Sequence, residues 1–410
     1  MNRSIKITIG SIGGSALLIL FSTGVFAQAV NTWTTKNSAG FTARQSPTAA
    51  VYNGRIYAVS GSDPFTRVNE EYDPGTDTWT SLQSAPDIVS GPGYAVVGNN
   101  IFVIGGVNGP LTQIYMPVVG TPGTWIIGPG VLTPVTATTA ALLGGKIYLI
   151  GGLKTGGVPL KTVQIYDTLT NTWTQSDALN EARGEACSAV FGGKIYIFGG
   201  PDSTVEVYDT VTKTWNINVT SLPVSAKNAT ATTVGNRIFV IGGRSPASTQ
   251  ILDQVQIYDP VANKWSSGST VGYTPRLNAG AAAIGNTIYV FGGSISINGH
   301  TSIIEAYQAG PPSEVSSAEV AGMDLTISPN PFTASTQITI TAQEPGLSSL
   351  ELHDMLGNKV YSEKSSMMLS AGEKYTYSID GNALHLRDGV YFAIIQSGSE
   401  VRVRKVIFAK

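Results

Sequence analysis

Short runs of hydrophobic and polar residues recur along the chain as one repeated unit. Each unit has a run of small apolar residues, a two-residue turn containing Gly or Asn, and a second apolar run that ends in glycine. Asn-Gly, Gly-Asn and Gly-Gly pairs between such runs are strong signals of a β-hairpin. The second run occurs as NGRIYAVSG at 53–61, GNNIFVIGG at 98–106, GGKIYLIGG at 144–152, GGKIYIFGG at 192–200, GNRIFVIGG at 235–243 and GNTIYVFGG at 285–293.

Aromatic residues at constant spacing predict a third and a fourth strand in each unit. A tyrosine in the third run is followed seven residues later by a tryptophan at Tyr72–Trp79, Tyr166–Trp173, Tyr208–Trp215 and Tyr258–Trp265. Tyr115 and Trp125 are ten residues apart, which indicates an insertion around Pro117–Pro122. All 6 tryptophans of the chain fall at this one place in the pattern. Such large, mostly apolar rings are suited to packing between neighbouring sheets.

The two ends of the repeat array complement each other. Trp33 precedes the first unit without a tyrosine before it, whereas Tyr307 of the last unit has no tryptophan after it. If the strand around Asn31–Thr35 joins the last sheet, every unit is complete and no sheet edge is left open at the junction. We therefore predict an all-β fold in which six four-stranded sheets close into a ring, a six-bladed β-propeller closed by its N-terminal strand.

The order of glycine pair, tyrosine and tryptophan resembles the kelch repeat over residues 30–309. The first unit departs from the pattern, with Ser60–Gly61 in place of the glycine pair, and no unit ends in the Trp-Asp dipeptide of WD-type repeats. In a propeller, the loops from second to third strand share one face with the loops that lead to the next unit. The former range from PDST at 201–204 to RSPASTQILDQ at 244–254, so we predict a ligand site at the mouth of the ring on this face.

The residues on either side of the array carry predicted export signals. Residues 1–27 combine Arg3 and Lys6 with the apolar run ALLILF and small residues before Ala27, which predicts a secretory signal peptide. Residues 310–323 are rich in Pro and Ser and are predicted to be a linker. Beyond the signal peptide, no stretch reaches the length of about eighteen apolar residues needed to span a membrane.

Residues 324–410 form a separate predicted domain. Alternating strands divided by Gly and Asn turns predict a small immunoglobulin-like β-sandwich. The phrases SPNPF at 328–332, DMLGNKV at 354–360, DGVYFAII at 388–395 and the terminal VRKVIFAK resemble the C-terminal sorting domain of the type IX secretion system of Bacteroidetes-type bacteria. The resemblance implies that the type IX machinery is a partner and that the protein is released or held at the outer cell surface.

The composition argues against several classes of ligand and of catalytic site. The net charge is −2 and no block of like charge occurs, so a nucleic-acid partner is not expected. The chain has 3 histidines, of which only His300 lies in the propeller, and it has no metal-binding or serine-nucleophile motif. We therefore expect no metal and no cofactor. The single cysteine, Cys187, lies in the apolar segment ACSAV and is predicted to be a buried small hydrophobe.

Basic residues recur at the predicted entry to the innermost strands. Arg44, Arg183 and Arg276 each lie seventeen residues before the second glycine of their unit, and Lys227 lies sixteen before it. We interpret the four as equivalent positions near the mouth, with Val89 and Val135 in the remaining units. Because arginine can hold a carboxylate through two hydrogen bonds, an anionic or carbonyl-rich ligand is predicted. The alternative is that these side chains pair with a neighbouring sheet.

Two functions follow from these patterns. The first is a secreted or surface-displayed kelch propeller that binds a protein or a glycan without catalysis, through Arg44, Arg183, Glu185, Lys227 and Arg276. The second is a carbohydrate-active enzyme that resembles the six-bladed kelch sialate mutarotases. In that hypothesis the candidate residues are Arg44, Arg183, Glu185 and Arg276. Glu185 and Arg183 are the catalytic candidates, and Glu185 transfers a proton.

Overall fold

A computed structural model describes residues 31–106, 111–118, 120–210, 212–217, 219–296, 299–310, 324–342, 345–354, 359–397 and 400–409. Every regular element in this part of the chain is a β-strand. The predicted signal peptide at 1–27 and residues 311–323 of the predicted linker lie outside the described residues.

Six four-stranded antiparallel sheets, here called blades, occupy the part of the chain between residues 32 and 308. Blade 1 contains β2 (Ala50–Tyr52), β3 (Arg55–Gly61), β4 (Thr66–Asp73) and β5 (Thr78–Ser81). Blade 2 contains β6 (Gly93–Val97), β7 (Asn100–Ile104), β8 (Thr112–Met116) and β9 (Thr124–Gly128). Blade 3 contains β10 (Thr139–Leu143), β11 (Lys146–Ile150), β14 (Val163–Asp167) and β15 (Thr172–Gln175), with a small hairpin of β12 (Leu153–Lys154) and β13 (Val158–Pro159) in its loop.

The remaining blades follow the same order, except that the last one takes its fourth strand from the start of the chain. Blade 4 contains β16 (Cys187–Phe191), β17 (Lys194–Phe198), β18 (Val205–Asp209) and β19 (Thr214–Asn216). Blade 5 contains β20 (Thr230–Val234), β21 (Arg237–Ile241), β22 (Val255–Asp259) and β23 (Lys264–Ser267). Blade 6 contains β24 (Gly280–Ile284), β25 (Thr287–Phe291), β26 (Ile304–Gln308) and β1 (Thr32–Thr35).

The blades are arranged around a common axis. Their first strands contact one another in a closed circle that runs from β2 through β6, β10, β16, β20 and β24 back to β2. The predicted all-β propeller of four-stranded antiparallel sheets is therefore confirmed. The N-terminal strand pairs as predicted, because Trp33 lies opposite Tyr307 and its indole N–H donates to the carbonyl of Ser269 at 2.8 Å.

A ring of six backbone hydrogen bonds joins each blade to the next. The N–H of the second residue of each glycine pair, or of Gly61 in blade 1, donates to a carbonyl at the entry to the next blade's first strand. The N···O distances are 2.7 to 3.2 Å, and the pairs are Gly61–Val89, Gly106–Val135, Gly152–Arg183, Gly200–Ala226, Gly243–Arg276 and Gly293–Arg44. The last bond closes blade 6 on blade 1, so the ends of the array are held by backbone contacts as well as by β1.

The first glycine of each pair is required by the closeness of the neighbouring backbone. At Gly199, which has a φ of +65°, a Cβ atom would lie 2.0 Å from the carbonyl oxygen of Ala226. No side chain fits at that distance, and positive φ is costly for residues with a Cβ. The glycine pair is thus a requirement for close packing between blades.

The C-terminal residues form two further antiparallel sheets. One contains β27 (Asp324–Ser328), β28 (Ser335–Thr341) and β31 (Lys374–Asp380), and the other β29 (Gly346–Asp354), β30 (Lys359–Leu369), β32 (Gly389–Ser397) and β33 (Glu400–Phe408). Both contribute to one apolar core, with Ile338 and Ile379 from the first sheet and Leu350, Ile395 and Phe408 from the second. The immunoglobulin-like topology stays a prediction.

Candidate functional site

A cavity of about 1240 Å³ runs through the ring and is lined by the first strands of all six blades. Its wall consists largely of small or hydroxyl-bearing side chains, such as Ala140, Ser188, Thr232 and Ala281. Glu185 is the only charged residue that the described blades and their loops contribute to this lining. The wall that the blades contribute is therefore nearly neutral, and the C-terminal domain adds His353 and Asp354 to the lining.

Six residues in the left-handed backbone conformation form a collar around this mouth. Each lies two residues after an acceptor of the hydrogen-bonded ring, with φ between +47° and +60°, and the collar consists of Ser46, Gly91, Ala137, Glu185, Asn228 and Asn278. Four backbone hydrogen bonds of 2.7 to 2.9 Å run between successive members from Ala137 through Glu185, Asn228 and Asn278 to Ser46. The collar therefore has a polar side, on blades 4, 5, 6 and 1, and an apolar side, on blades 2 and 3.

Glu185 belongs to an ionic cluster with two cations from blade 5. The Nζ of Lys227 lies 3.1 Å from Oε2 of Glu185, and a guanidinium nitrogen of Arg244 lies 3.7 Å from Oε1. The side-chain amide of Asn228 donates to Oε1 at 2.9 Å. The three charged side chains are 20 to 26% exposed. One carboxylate faces two cations, so the cluster has an excess positive charge that a ligand carboxylate can neutralise.

The three predicted arginines lie inside their own blades. Arg44, Arg183 and Arg276 are at most 1% exposed. Each forms an ion pair of 2.6 to 2.9 Å with a glutamate on the third strand of the same blade, in the pairs Arg44–Glu70, Arg183–Glu206 and Arg276–Glu305. In this arrangement a ligand at the mouth does not reach the guanidinium groups. Of the five predicted ligand-binding residues, Glu185 and Lys227 remain candidates for contact with a ligand, and their role stays a prediction.

The remaining N–H groups of Arg44 are paired with the backbone. Arg44 donates to the carbonyls of Thr42, Ala58 and Ser60 at 2.6 to 2.9 Å. Burial lowers the pKa of Arg44, and the nearby Glu70 carboxylate acts in the opposite direction. A buried guanidinium needs such a full set of acceptors, since an unpaired buried charge is strongly destabilising.

The prediction that Lys227 is equivalent to the three arginines is wrong. Gly200 donates to the carbonyl of Ala226, which makes Ala226 the equivalent residue, and its side chain is buried. Lys227 follows one position later and pairs with Glu185. Neighbouring residues of an extended strand point to opposite sides. The one-residue difference in spacing therefore separates a buried position from one at the mouth.

A pattern in the sequence distinguishes the blades with a buried arginine. The pattern lies on the third strand of each blade, two residues before its repeated tyrosine. The blades with a buried arginine have a glutamate there, Glu70, Glu206 or Glu305, whereas the other blades have a glutamine, Gln113, Gln164 or Gln256. All six side chains are buried and accept a hydrogen bond from a loop N–H, as Gln164 does from Thr133 at 2.8 Å. The carboxylate thus occurs where an arginine neutralises it. This correlation could have identified the buried pairs, whereas Arg244 lies in a variable loop and has no periodic signal.

Other chemistry of the described residues is limited. Cys187 is buried, as predicted, and burial raises the pKa of its thiol to about 12. Among the described residues, no group of three or more His, Cys, Asp or Glu side chains could hold a metal ion. Within the same ranges, no helix has the length and hydrophobicity to cross a membrane.

Comparison with known families locates two kinds of domain. A family described as the KLHDC2/KLHL20/DRC7 kelch-repeats domain matches residues 137–307, and the kelch motif matches residues 43–86. The secretion system C-terminal sorting domain matches residues 326–409. The last match indicates type IX export to the cell surface or into the medium.

Individual relatives match the kelch repeats at low identity. The chain is 29% identical over 182 residues to kelch repeat protein M-T8 of Myxoma virus, covering 42% of this chain and 35% of the viral protein. It is 26% identical to Kelch-like protein 35 of Mus musculus, over 43% of this chain and 30% of the relative. Alpha-scruin of Limulus polyphemus is 31% identical over 44% of this chain and 21% of the scruin.

The chain thus spans about a third or less of the length of these relatives, and the similarity concerns the repeats. The kelch matches lie within residues 30–309, and the match to the sorting domain lies within residues 324–410. The chain therefore contains kelch repeats, matched over residues 43–86 and 137–307, and a secretion system C-terminal sorting domain at residues 326–409.

Proposed function

We propose that this exported kelch protein is a non-catalytic binding module whose ligand is a protein segment with an acidic group, bound at the mouth of the propeller. The cluster of Glu185, Lys227 and Arg244 carries the proposal. It combines an excess positive charge with partial exposure, and it includes Glu185, the one charged residue that the described blades contribute to the cavity lining. An acidic side chain of the ligand would add the missing counter-charge.

The loops beside the mouth support a protein ligand. Phe65, Val158 and Ile295 lie in the second-to-third loops of blades 1, 3 and 6, and about half of each side chain is exposed. Protein interfaces typically combine apolar side chains with a polar, solvent-accessible rim. The amides of Asn228 and Asn278 on the polar side of the collar could pair with the backbone of a protein or with the hydroxyl groups of a glycan. The experiment must therefore distinguish a protein ligand from a glycan ligand.

No specific observation favours the alternative function, a carbohydrate-active enzyme. It uses Arg44, Arg183 and Arg276, and these side chains are buried in ion pairs with glutamates of their own blades. Glu185 is then the one member of that candidate set at the mouth, where Lys227 and Asn228 already engage its carboxylate.

Site-specific photocrosslinking tests the proposal. A photoreactive amino acid replaces Phe65 at the mouth, or, as the control, Leu169 at the tip of a turn on the opposite face, where the side chain is 94% exposed. The exported protein is irradiated with surface proteins of the producing cells, and adducts are identified by mass spectrometry. We expect one protein to be captured from position 65 and not from position 169.

The charge reversal Lys227→Glu with Arg244→Glu should abolish this adduct, because the cluster would then repel an acidic ligand. Equal adducts from both faces, or an adduct that persists in the charge-reversed variant, would refute the proposal. Binding to a glycan array that depends on Lys227 and Arg244, without a protein adduct, would assign the mouth to a carbohydrate.

A further inference from the structure

The outer strand of blade 2 differs from the outer strands of the other five blades. The two residues after the tryptophan are polar in four of these strands, Thr34–Thr35, Thr80–Ser81, Thr174–Gln175 and Ser266–Ser267, and blade 4 has Asn216–Ile217. Blade 2 instead has Ile126 and Ile127, which are 48% and 56% exposed. Two adjacent β-branched residues on an exposed edge strand favour further strand pairing.

Further exposed apolar residues flank this strand. Val118 lies in the turn before β9 and Leu132 in the loop after it, and more than half of each side chain is exposed. With Ile126 and Ile127 they form the edge stripe of blade 2. Neighbouring residues of a strand point to opposite faces, so Ile126 and Ile127 expose apolar groups on both sides of this edge.

Charge is absent from the whole region. No Asp, Glu, Lys, Arg or His occurs between Asp87 and Lys146, so all of blade 2 is neutral. Exposed edge strands are usually protected from pairing by a charged residue, a proline or a bulge. The pairing of β9 with β8 is regular from Thr112–Gly128 to Met116–Thr124, and no strand of the described chain pairs with its outer side. Within Thr124–Gly128, β9 therefore contains no charged residue, proline or bulge that would oppose further pairing.

We infer that the edge stripe of blade 2 is a homodimer interface, in which β9 of a second copy of this chain adds antiparallel to β9. An antiparallel pair of identical strands is two-fold symmetric, so the same neutral patch serves both copies, as a closed dimer requires. A neutral patch also meets its own copy without like-charge repulsion, which a charged edge could not avoid. In this arrangement Ile126, the central residue of β9, lies opposite its own copy.

The interface is expected to be weak because it is small. One five-residue strand with two flanking apolar side chains falls below the roughly 800 Å² per partner of a stable protein interface. Cross-strand pairs of β-branched residues add about 0.2–1 kcal/mol each. Association should therefore depend on concentration, and display of many copies at a cell surface would favour it.

Sedimentation velocity of the exported full chain over a wide concentration range tests the inference. The wild type should shift from monomer to dimer as its concentration rises. Ile126→Lys with Ile127→Lys should remain monomeric throughout, because lysines on both copies repel each other. The matched control, Ser266→Lys with Ser267→Lys, places the same charges on the outer strand of blade 5 and should dimerise like the wild type. Unchanged thermal unfolding would establish that both variants are folded.

A cysteine placed in the strand provides an independent measurement. Because Cys187 is buried, Ile126→Cys would present an accessible thiol that should form a disulfide-linked dimer under mild oxidation, and Ser266→Cys should not. A wild type that is monomeric at every concentration would overturn the inference, and so would equal cross-linking from both positions. Binding of the monomer to lipid vesicles that the two lysines abolish would assign the edge to a membrane surface and would also overturn it.

Discussion

The ion pair of Arg183 and Glu206 is predicted to stabilise blade 4 only as a complete pair. The Nε of Arg183 donates to Glu206 at 2.9 Å, and the same carboxylate accepts the backbone N–H groups of Asn180 at 2.7 Å and Glu181 at 3.1 Å. In Glu206→Gln the amide can keep one loop hydrogen bond, as Gln164 does in blade 3. The guanidinium, which is 1% exposed, would be left with only the half-exposed Asp202 carboxylate at 3.9 Å.

The single and the double variant of this ion pair are expected to differ in their free energies of unfolding. Removing one member of a buried ion pair typically costs about 3–5 kcal/mol, because the other charge stays buried without compensation. Replacing the whole pair by residues of similar volume is often nearly neutral. We therefore expect Glu206→Gln to lower the free energy of unfolding by about 3–5 kcal/mol, and Arg183→Met with Glu206→Gln to lower it by about 1–2 kcal/mol.

Urea unfolding followed by tryptophan fluorescence measures the effect in the full chain. All 6 tryptophans lie in the blades, so the signal reports the propeller and not the sorting domain. With a slope of about 3 kcal/mol per molar urea, Glu206→Gln should shift the midpoint by about 1 M or more. The control is Arg55→Met, which removes the partly exposed pair of Arg55 and Glu71 at 2.7 Å and should cost no more than about 1 kcal/mol.

The reasoning would be refuted by two results. One is a Glu206→Gln variant that unfolds at the same urea concentration as Arg55→Met, which would mean that the buried guanidinium does not need the carboxylate. The other is a double variant whose loss equals the sum of the two single losses. Additive losses would show that Arg183 and Glu206 do not interact energetically.

Two further predictions concern packing within and between the blades. Gly199→Ala should cost about 3 kcal/mol or more, because the new Cβ would lie 2.0 Å from the Ala226 carbonyl oxygen. Gly192→Ala also requires positive φ but faces open space, so it should cost only about 1–2 kcal/mol, and equal losses in thermal unfolding would contradict this explanation. The Cys187 thiol, whose pKa burial raises to about 12, should react with a thiol reagent at pH 8 only after unfolding in urea. Rapid reaction of the native protein would contradict its burial.

The repeat pattern by itself determined the architecture. The glycine pair and the Tyr–Trp spacing predict four-stranded units, and the unmatched Trp33 and Tyr307 predict closure by the N-terminal strand. These features are local in sequence or periodic along it, so each copy confirms the others. The pairing of Trp33 with Tyr307 and the hydrogen bond from Gly293 to Arg44 follow from the same periodicity, since every blade repeats the contact with its neighbour.

The side-chain environment of the basic residues was decided only by the tertiary structure. Equal spacing before the glycine pair gave Arg44, Arg183 and Arg276 a common position, but it did not determine whether that position faces solvent. They are buried because a glutamate from the third strand of each blade supplies the counter-charge. The choice of Glu or Gln at that strand position indicates which blades have a buried arginine. This relation can be recognised only when the pairing of strands within a blade is known.

The candidate site likewise depends on contacts between blades. Glu185, Lys227 and Arg244 come from two blades, and their sequence positions show no common period. The collar places Glu185 at the mouth through its left-handed backbone, and the one-residue offset of Lys227 turns its side chain toward Glu185. A repeated pattern therefore determines the scaffold, because packing between equivalent blades repeats. A binding site arises where neighbouring blades differ, and only the assembled ring brings those differences together.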